Sequence, residues 1–255
     1  MIEGVITAKN IKFIIAYDGR DYLGWQKTFT GQSVEMLLQS VLEQILQHPV
    51  VLQAASRTDR GVHARGQVIN FYTSKAPLDL HRLRLSTNQL LPHDIVVLSA
   101  EIASSTFHPT LDSKGKEYRY YVCYDEFQMP EFHFHSWHTP GELDLGSMRA
   151  AALLLVGKHN FAAFCNFRSK MNYTDYKRYI TSIVIDEIPL KRLCVTIRGD
   201  HFLYKMVRNL VGTLIYIGRG KIKLEGLEQI LKSQDRTQAG ITAPAHGLFL
   251  EKVFY

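Results

Sequence analysis

The chain lacks any apolar run long enough to cross a bilayer. Its longest, residues 150–156, falls far short of the ~20 residues a membrane helix needs. Cysteine is sparse: Cys123, Cys165 and Cys194 are widely spaced and form no C-x-x-C pair, which argues against a disulfide framework and against a cysteine-rich zinc site. They read as buried, inert thiols. Neither a Walker A loop nor a dinucleotide-binding glycine fingerprint is present, so nothing implies a nucleotide cofactor. There is no short repeat, low-complexity tract or long polar linker. The N-terminal MIEGVITAKNIKF carries Glu3 and no apolar h-region, so no secretory leader is expected. The expected compartment is the cytoplasm.

What the chain does have is enough apolar residue, 46% of 255, to bury one large core or two modest ones. Its formal charge of +6 suits a polyanionic partner, because each neutralised phosphate releases counterions. Two hydrophobic periods alternate along it. Residues 11–17 read as a strand, and Val34, Leu37, Leu38, Val41, Leu42, Ile45 and Leu46 form one apolar helical stripe that Pro49 ends. Strands are expected at 50–55 and 66–73 on either side of a polar loop, a weaker helix near 79–90, and another strand over DIVVLSAEI. The second half repeats this mixture. Strands are expected at 116–124, 179–187 and 193–199, and a helix at 147–156 with Gly157 as its left-handed cap. A strong helix is expected from Phe202 to Gly218, with Lys205, Arg208 and Asn209 on its polar face, then a short one near 225–232. The expected fold is an α/β (α+β) chain of two similar halves, residues 1–105 and 106–255, joined near 102–113.

The most unusual segment is SRTDRGVHAR, residues 56–65. It sets one carboxylate, Asp59, among Arg57, Arg60, Arg65 and His63. A carboxylate beside arginine is held ionised, which suits a nucleophile or a charged base better than a general acid. The plainer reading is a surface turn, since Asp and Gly favour turns. Lys116, Tyr118 and Tyr120 alternate onto one strand face. Such a face can stack a base and neutralise phosphate, or simply line a half-buried strand. His133, His135 and His138 lie close together, with no nearby carboxylate or cysteine to complete a metal site.

The 56–68 stretch SRTDRGVHARGQV resembles the catalytic motif of the TruA-type tRNA pseudouridine synthases, usually GRTDAGVHA followed by a strand. It is joined, in the family's order, by YDGRDYLGWQ at 17–26, NQLLPHDIVV at 88–97 and FHPTLDSKGKEYRY at 107–120. GKHNFAAF at 157–164, GDHFLYKMVRNLVGTLIYIGRG at 199–220 and TAPAHGLFLEKVFY at 242–255 complete the set, covering nearly the whole chain. The resemblance implies two α/β halves, each an antiparallel sheet with helices on one face, around a central basic RNA-binding cleft in a homodimer. It implies isomerisation of uridine to pseudouridine at positions 38, 39 and 40 of the tRNA anticodon stem-loop, with no cofactor, metal or membrane partner. By position it gives Asp59 the catalytic aspartate's role and Tyr118 that of the tyrosine stacking on the target base. Arg57 matches the arginine on the RNA backbone, and Arg208 the arginine that pairs with the catalytic carboxylate. Lys116 and Arg60 join the expected RNA-binding set. Whether Asp59 attacks C1′ or removes the 2′ proton to give a glycal stays open. The chain departs from the family at Ser56, Arg60, Pro109-Thr110 and Glu35-Met36, departures expected to bear on selectivity. Three other readings compete: an RNA-binding module without catalysis, a metal-dependent hydrolase built on Asp59 and His63, and a related synthase acting on another RNA.

Overall fold

The computed structural model describes residues 8–167 and 173–255; Glu3, with the residues read for a leader, lies outside them. The chain divides into two compact units. One runs to Lys114 and takes back Leu250–Tyr255 at the end of the chain; the other is Gly115–Phe249. The sequence pattern had put the division at 105/106 and left the last residues in the second half.

In the first unit β1 (Lys9–Tyr17) pairs antiparallel with both β3 (His63–Thr73) and β4 (Ile95–Ile102). Ile11, Phe13, Ile15 and Tyr17 alternate into the core, the period-two burial of a strand with one covered face. Helix α1 (Val34–Leu46) starts where Ser33 Oγ accepts from the Met36 N–H at 3.3 Å, and it buries Val34, Leu38, Leu42 and Leu46. Helix α2 (Leu80–Leu90), capped by Asp79, packs against β4 and α1. The expected strand at 50–55 shrinks to β2 (Gln53–Ala54), which pairs with β3. Val51 has strand propensity but stands exposed with no ladder partner. Strand β3 begins three residues earlier than expected, at His63, so the polar loop ends at Val62.

The second unit repeats the order strand, helix, strand pair, helix. Strand β5 (Gly115–Cys123) pairs antiparallel with β9 (Arg192–Gly199), and β9 with β8 (Lys177–Ile188), as β1 pairs β3 and β3 pairs β2. Two short strands were not foreseen: β6 (Trp137–His138), parallel to β5, and β7 (Gly157–Asn160), antiparallel to β8. Helix α3 (Leu145–Leu155) is capped by Asp144, and Gly157 just beyond it takes the left-handed φ of 108°. Helix α4 (Met206–Gly218) starts four residues later than its apolar stripe suggests. Lys205 sits at φ 59° and stops the helix there, leaving Phe202 and Leu203 in the preceding turn. A short α5 (Leu227–Ser233) follows. The unforeseen β10 (Leu248–Phe254) carries the chain from the second unit back to the first, where the Lys114 N–H donates to Phe254 O at 2.8 Å. Among the described residues, no helix is long and apolar enough to cross a membrane.

Candidate active site

The 56–62 loop of the first unit is held by its backbone from several directions. At its entry the buried amide of Gln67 grips Ser56 twice, accepting from the Ser56 N–H at 3.2 Å and donating to the Ser56 carbonyl at 2.6 Å. Thr58 is buried and its hydroxyl lies 2.7 Å from the Tyr17 hydroxyl, while the Thr58 carbonyl accepts from the Trp25 N–H at 3.1 Å. The Val62 N–H then donates to Asp59 O at 3.1 Å and closes a turn in which Gly61 takes a left-handed φ of 77°. Gly24 leans on the same turn: a β-carbon there would stand 2.6 Å from Thr58 O and 3.1 Å from the Asp59 carbonyl carbon. Asp59 is thus a half-buried residue on an immobilised backbone, between Arg57 and Arg60, both exposed.

These contacts explain why YDGRDYLGWQ accompanies the aspartate loop. Tyr17, Gly19, Gly24 and Trp25 each touch it. A β-carbon at Gly19 would come within 2.0 Å of Val62 O. The Gly19 N–H donates to His63 Nδ1 at 3.1 Å, an Asp18 carboxylate oxygen lies equally close to that nitrogen, and the ring is buried. One ring nitrogen cannot serve both: unprotonated it accepts from Gly19, protonated it donates to Asp18. Asp59 and His63, four apart, lie in a turn and at a strand start, not on one helix. Arg65 pairs with Glu251 on the returning β10 at 3.3 Å.

In the second unit Lys116, Tyr118 and Tyr120 do share a face of β5, and all three are buried. Tyr118 meets Phe202 edge-on at 5.2 Å. Tyr120 donates to Pro244 O at 2.7 Å, and burial pushes its phenol well above the ordinary value. Burial pushes the Lys116 ammonium down to about 8. The opposite face of β5 is not simply solvated: Glu117 is 2% exposed and ion-paired to Arg119 at 3.0 Å and to Arg198. Of the three histidines, His138 Nε2 bonds Asp125 O at 3.0 Å, His133 packs on Phe134 and His135 faces Phe249.

Arg208 stands in the first turn of α4. Its Nε donates to Ala243 O at 2.7 Å, and its own carbonyl accepts from the Ala243 N–H at 3.1 Å. Two of its expected companions on a polar helix face are elsewhere. Lys205 precedes the helix, and Asn209 is fully buried, donating to Phe164 O at 2.7 Å and to Asn166 Oδ1 at 2.8 Å. Sequence reasoning also missed Arg236, whose Nη2 donates to Asn209 Oδ1 at 2.9 Å; a lone arginine in SQDRTQAG carries no mark separating it from a surface turn.

Comparison with known proteins gives one consistent result. A family model described as tRNA pseudouridine synthase matches residues 151–255. A protein of Protochlamydia amoebophila named tRNA pseudouridine synthase A 2 is 60% identical over 249 residues, covering 98% of this chain and 95% of its own. Proteins named tRNA pseudouridine synthase A are 40% identical in a Thermoanaerobacter species (97% and 100% covered) and 37% identical in Thermodesulfovibrio yellowstonii (96% and 99%).

Proposed function

From the chain's place in the tRNA pseudouridine synthase A family, to which it belongs over nearly its whole length, we infer that it isomerises uridine to pseudouridine in tRNA, and we propose that Asp59 is the residue acting at the ribose. The finer proposal is that the targets are positions 38, 39 and 40 of the anticodon stem-loop. The reaction breaks N1–C1′, turns the uracil and joins C5 to C1′, while the proton leaving C5 is balanced by one gained at N1. Atoms and electrons balance within the nucleoside, so no co-substrate is called for. Asp59 either attacks C1′ or takes the 2′ proton, and both need a carboxylate fixed close to the sugar of an extruded nucleotide.

The observation that carries the proposal is the anchored turn. Its backbone is held through Gln67, Trp25 and Val62, while Arg57 and Arg60 on either side of Asp59 are exposed, where they can meet phosphate. Lys116 belongs to the same RNA-binding proposal. Tyr118 is proposed to stack on the target base and Arg208 to pair with the catalytic carboxylate, roles that rest on the resemblance of their motifs. We further propose a cytoplasmic homodimer. Support for the dimer comes from Val96, Leu98 and Ile102, which stand exposed on β4, with Leu85 and Leu90 exposed on α2.

Asp59→Asn tests the reading, because it keeps volume while removing the charge and most of the nucleophilicity. Pseudouridine formed and mapped in a tRNA transcript should fall to the detection limit. Affinity for the transcript should hold or tighten, since a negative charge has left a surface that meets phosphates. Turnover at the wild-type rate would refute the assignment.

A further inference from the structure

Arg236 spends its whole guanidinium on neutral acceptors. Nε donates to Asn166 Oδ1 at 3.4 Å and Nη1 to Gly240 O at 2.8 Å. Nη2 donates to both Asn209 Oδ1 and Thr242 Oγ1 at 2.9 Å. The adjacent carboxylate, Asp235, turns away to cap Thr237. The Thr242 hydroxyl in turn donates to Asn209 Oδ1 at 2.7 Å. These bonds tie residues 240–242 to α4 one residue past Arg208. The same segment sits on α4 at backbone contact. A β-carbon at Gly212 would meet Ile241 O at 1.7 Å, one at Gly240 would meet Thr213 Cα at 2.6 Å, and the Gly240 N–H donates to Thr213 Oγ1 at 2.9 Å. Ala243, which follows, is bonded to Arg208 twice, by backbone and by side chain.

We propose that Arg236 is a positioning residue for the reaction: it fixes residues 240–243 against α4, and through Ala243 it fixes the direction of the Arg208 guanidinium. The inference rests on the reading that gives Arg208 a part in the reaction. A planar fork with five donors spans four acceptors in fixed directions, which a lysine ammonium cannot do. The requirement is therefore for the shape of arginine as well as its charge.

The experiment measures single-turnover pseudouridine formation, tRNA affinity and thermal melting for Arg236→Gln, Arg236→Lys and Thr242→Val, with Arg208→Ala as reference. Arg236→Gln should turn over more slowly by on the order of 10- to 100-fold, the scale of a displaced catalytic group, with tRNA affinity unchanged. Arg236→Lys should not restore the rate. Thr242→Val, nearly isosteric, should lose rate in the same direction but less. The loss should persist on cooling well below each variant's melting point. A rate that recovers on cooling would mean that Arg236 serves stability alone and would overturn the inference. So would restoration of the rate by lysine, or normal turnover in Arg236→Gln. If Arg208→Ala itself turns over normally, the reading of Arg208 fails and the inference with it. If Arg208→Ala is inactive while Arg236→Gln is normal, only the inference fails.

Discussion

Replacing Gly24 with alanine tests whether the aspartate turn is held by close backbone contact. Two costs add. The residue sits at φ +95°, where a side chain costs about 1–3 kcal/mol. The new methyl would also stand 2.6 Å from Thr58 O, and ordinary contact begins at 3.4 Å, so the loop must retreat by about 0.8 Å. That retreat falls on the backbone on which Asp59 is mounted, and a displacement of roughly 1 Å at a reacting group can cost about 100-fold in rate. A melting point lower by roughly 2–12 °C should accompany the rate loss, at about 2–4 °C per kcal/mol for a chain of this size. Gly220→Ala is the control. Gly220 also has positive φ, +66°, but a β-carbon there meets nothing within 4 Å. It should lose a little stability and no activity. The assay is pseudouridine formation in a tRNA transcript under single-turnover conditions, alongside thermal melts of both variants. Gly24→Ala with the wild-type rate would refute the argument, as would equal rate losses in the two variants.

Lys116→Met should flatten the pH dependence of stability between about 8 and 10.5, because burial holds the ammonium near 8, below its ordinary 10.5. Below pH 8 the folded state carries the full cost of the buried cation. Between about 8 and 10.5 the unfolded chain binds more protons, so stability rises with pH, by at most about 3 kcal/mol. Urea melts across that window should show the variant's pH slope flattened; an unchanged slope would count against it. Arg57→Ala should weaken tRNA binding and make the log–log salt plot shallower by about 0.7–0.9, the loss of one phosphate contact. An equally steep plot would mean that Arg57 touches no phosphate.

The core helices were legible because their stripes are long and regular: α1 buries Val34, Leu38, Leu42 and Leu46 as its 3.6-residue period requires, behind a serine cap. Where the sequence misled, local pattern and tertiary partner disagreed. Phe202 and Leu203 continue the stripe of α4, yet Lys205 in the left-handed region breaks the helix with no glycine or proline to announce it. Val51 and Leu52 read as strand, but the ladder available to β2 takes only Gln53 and Ala54. The odd charge of the Asp59 loop was visible in the sequence. The residues that immobilise the loop were not, because Gly24, Tyr17 and Gln67 act by backbone approach and by one or two hydrogen bonds across 11 to 41 positions. Asn209 and Arg236 were hidden for the same reason: a buried asparagine and a half-buried arginine bonded to each other across 27 positions leave no periodic trace.

The departures from the family pattern fall where the loop can absorb them. Ser56 is gripped by Gln67 through its own N–H and carbonyl, bonds any residue supplies, so exchanging glycine for serine leaves the clamp intact. Arg60 is exposed, so its size and charge are spent outside the turn, which is held by Asp59 O and the Val62 N–H. Glu35 accepts from the Lys27 N–H at 2.7 Å and Met36 donates to Ser33, so this pair closes the 24–35 segment that backs the aspartate. Thr110 goes further: its hydroxyl donates to Ala54 O at 2.7 Å, at the entry of the loop, while Pro109 O accepts from the Tyr255 hydroxyl at 2.9 Å. At Thr110 the chain has a short hydroxyl bonded to its own β2. The anchorage of Asp59 therefore does not depend on the family's usual residues at these sites, whereas the charge displayed around it does. Substitutions at Arg60 and Thr110 should accordingly move RNA preference, and substitutions at Gly24, Tyr17 and Gln67 should move the rate.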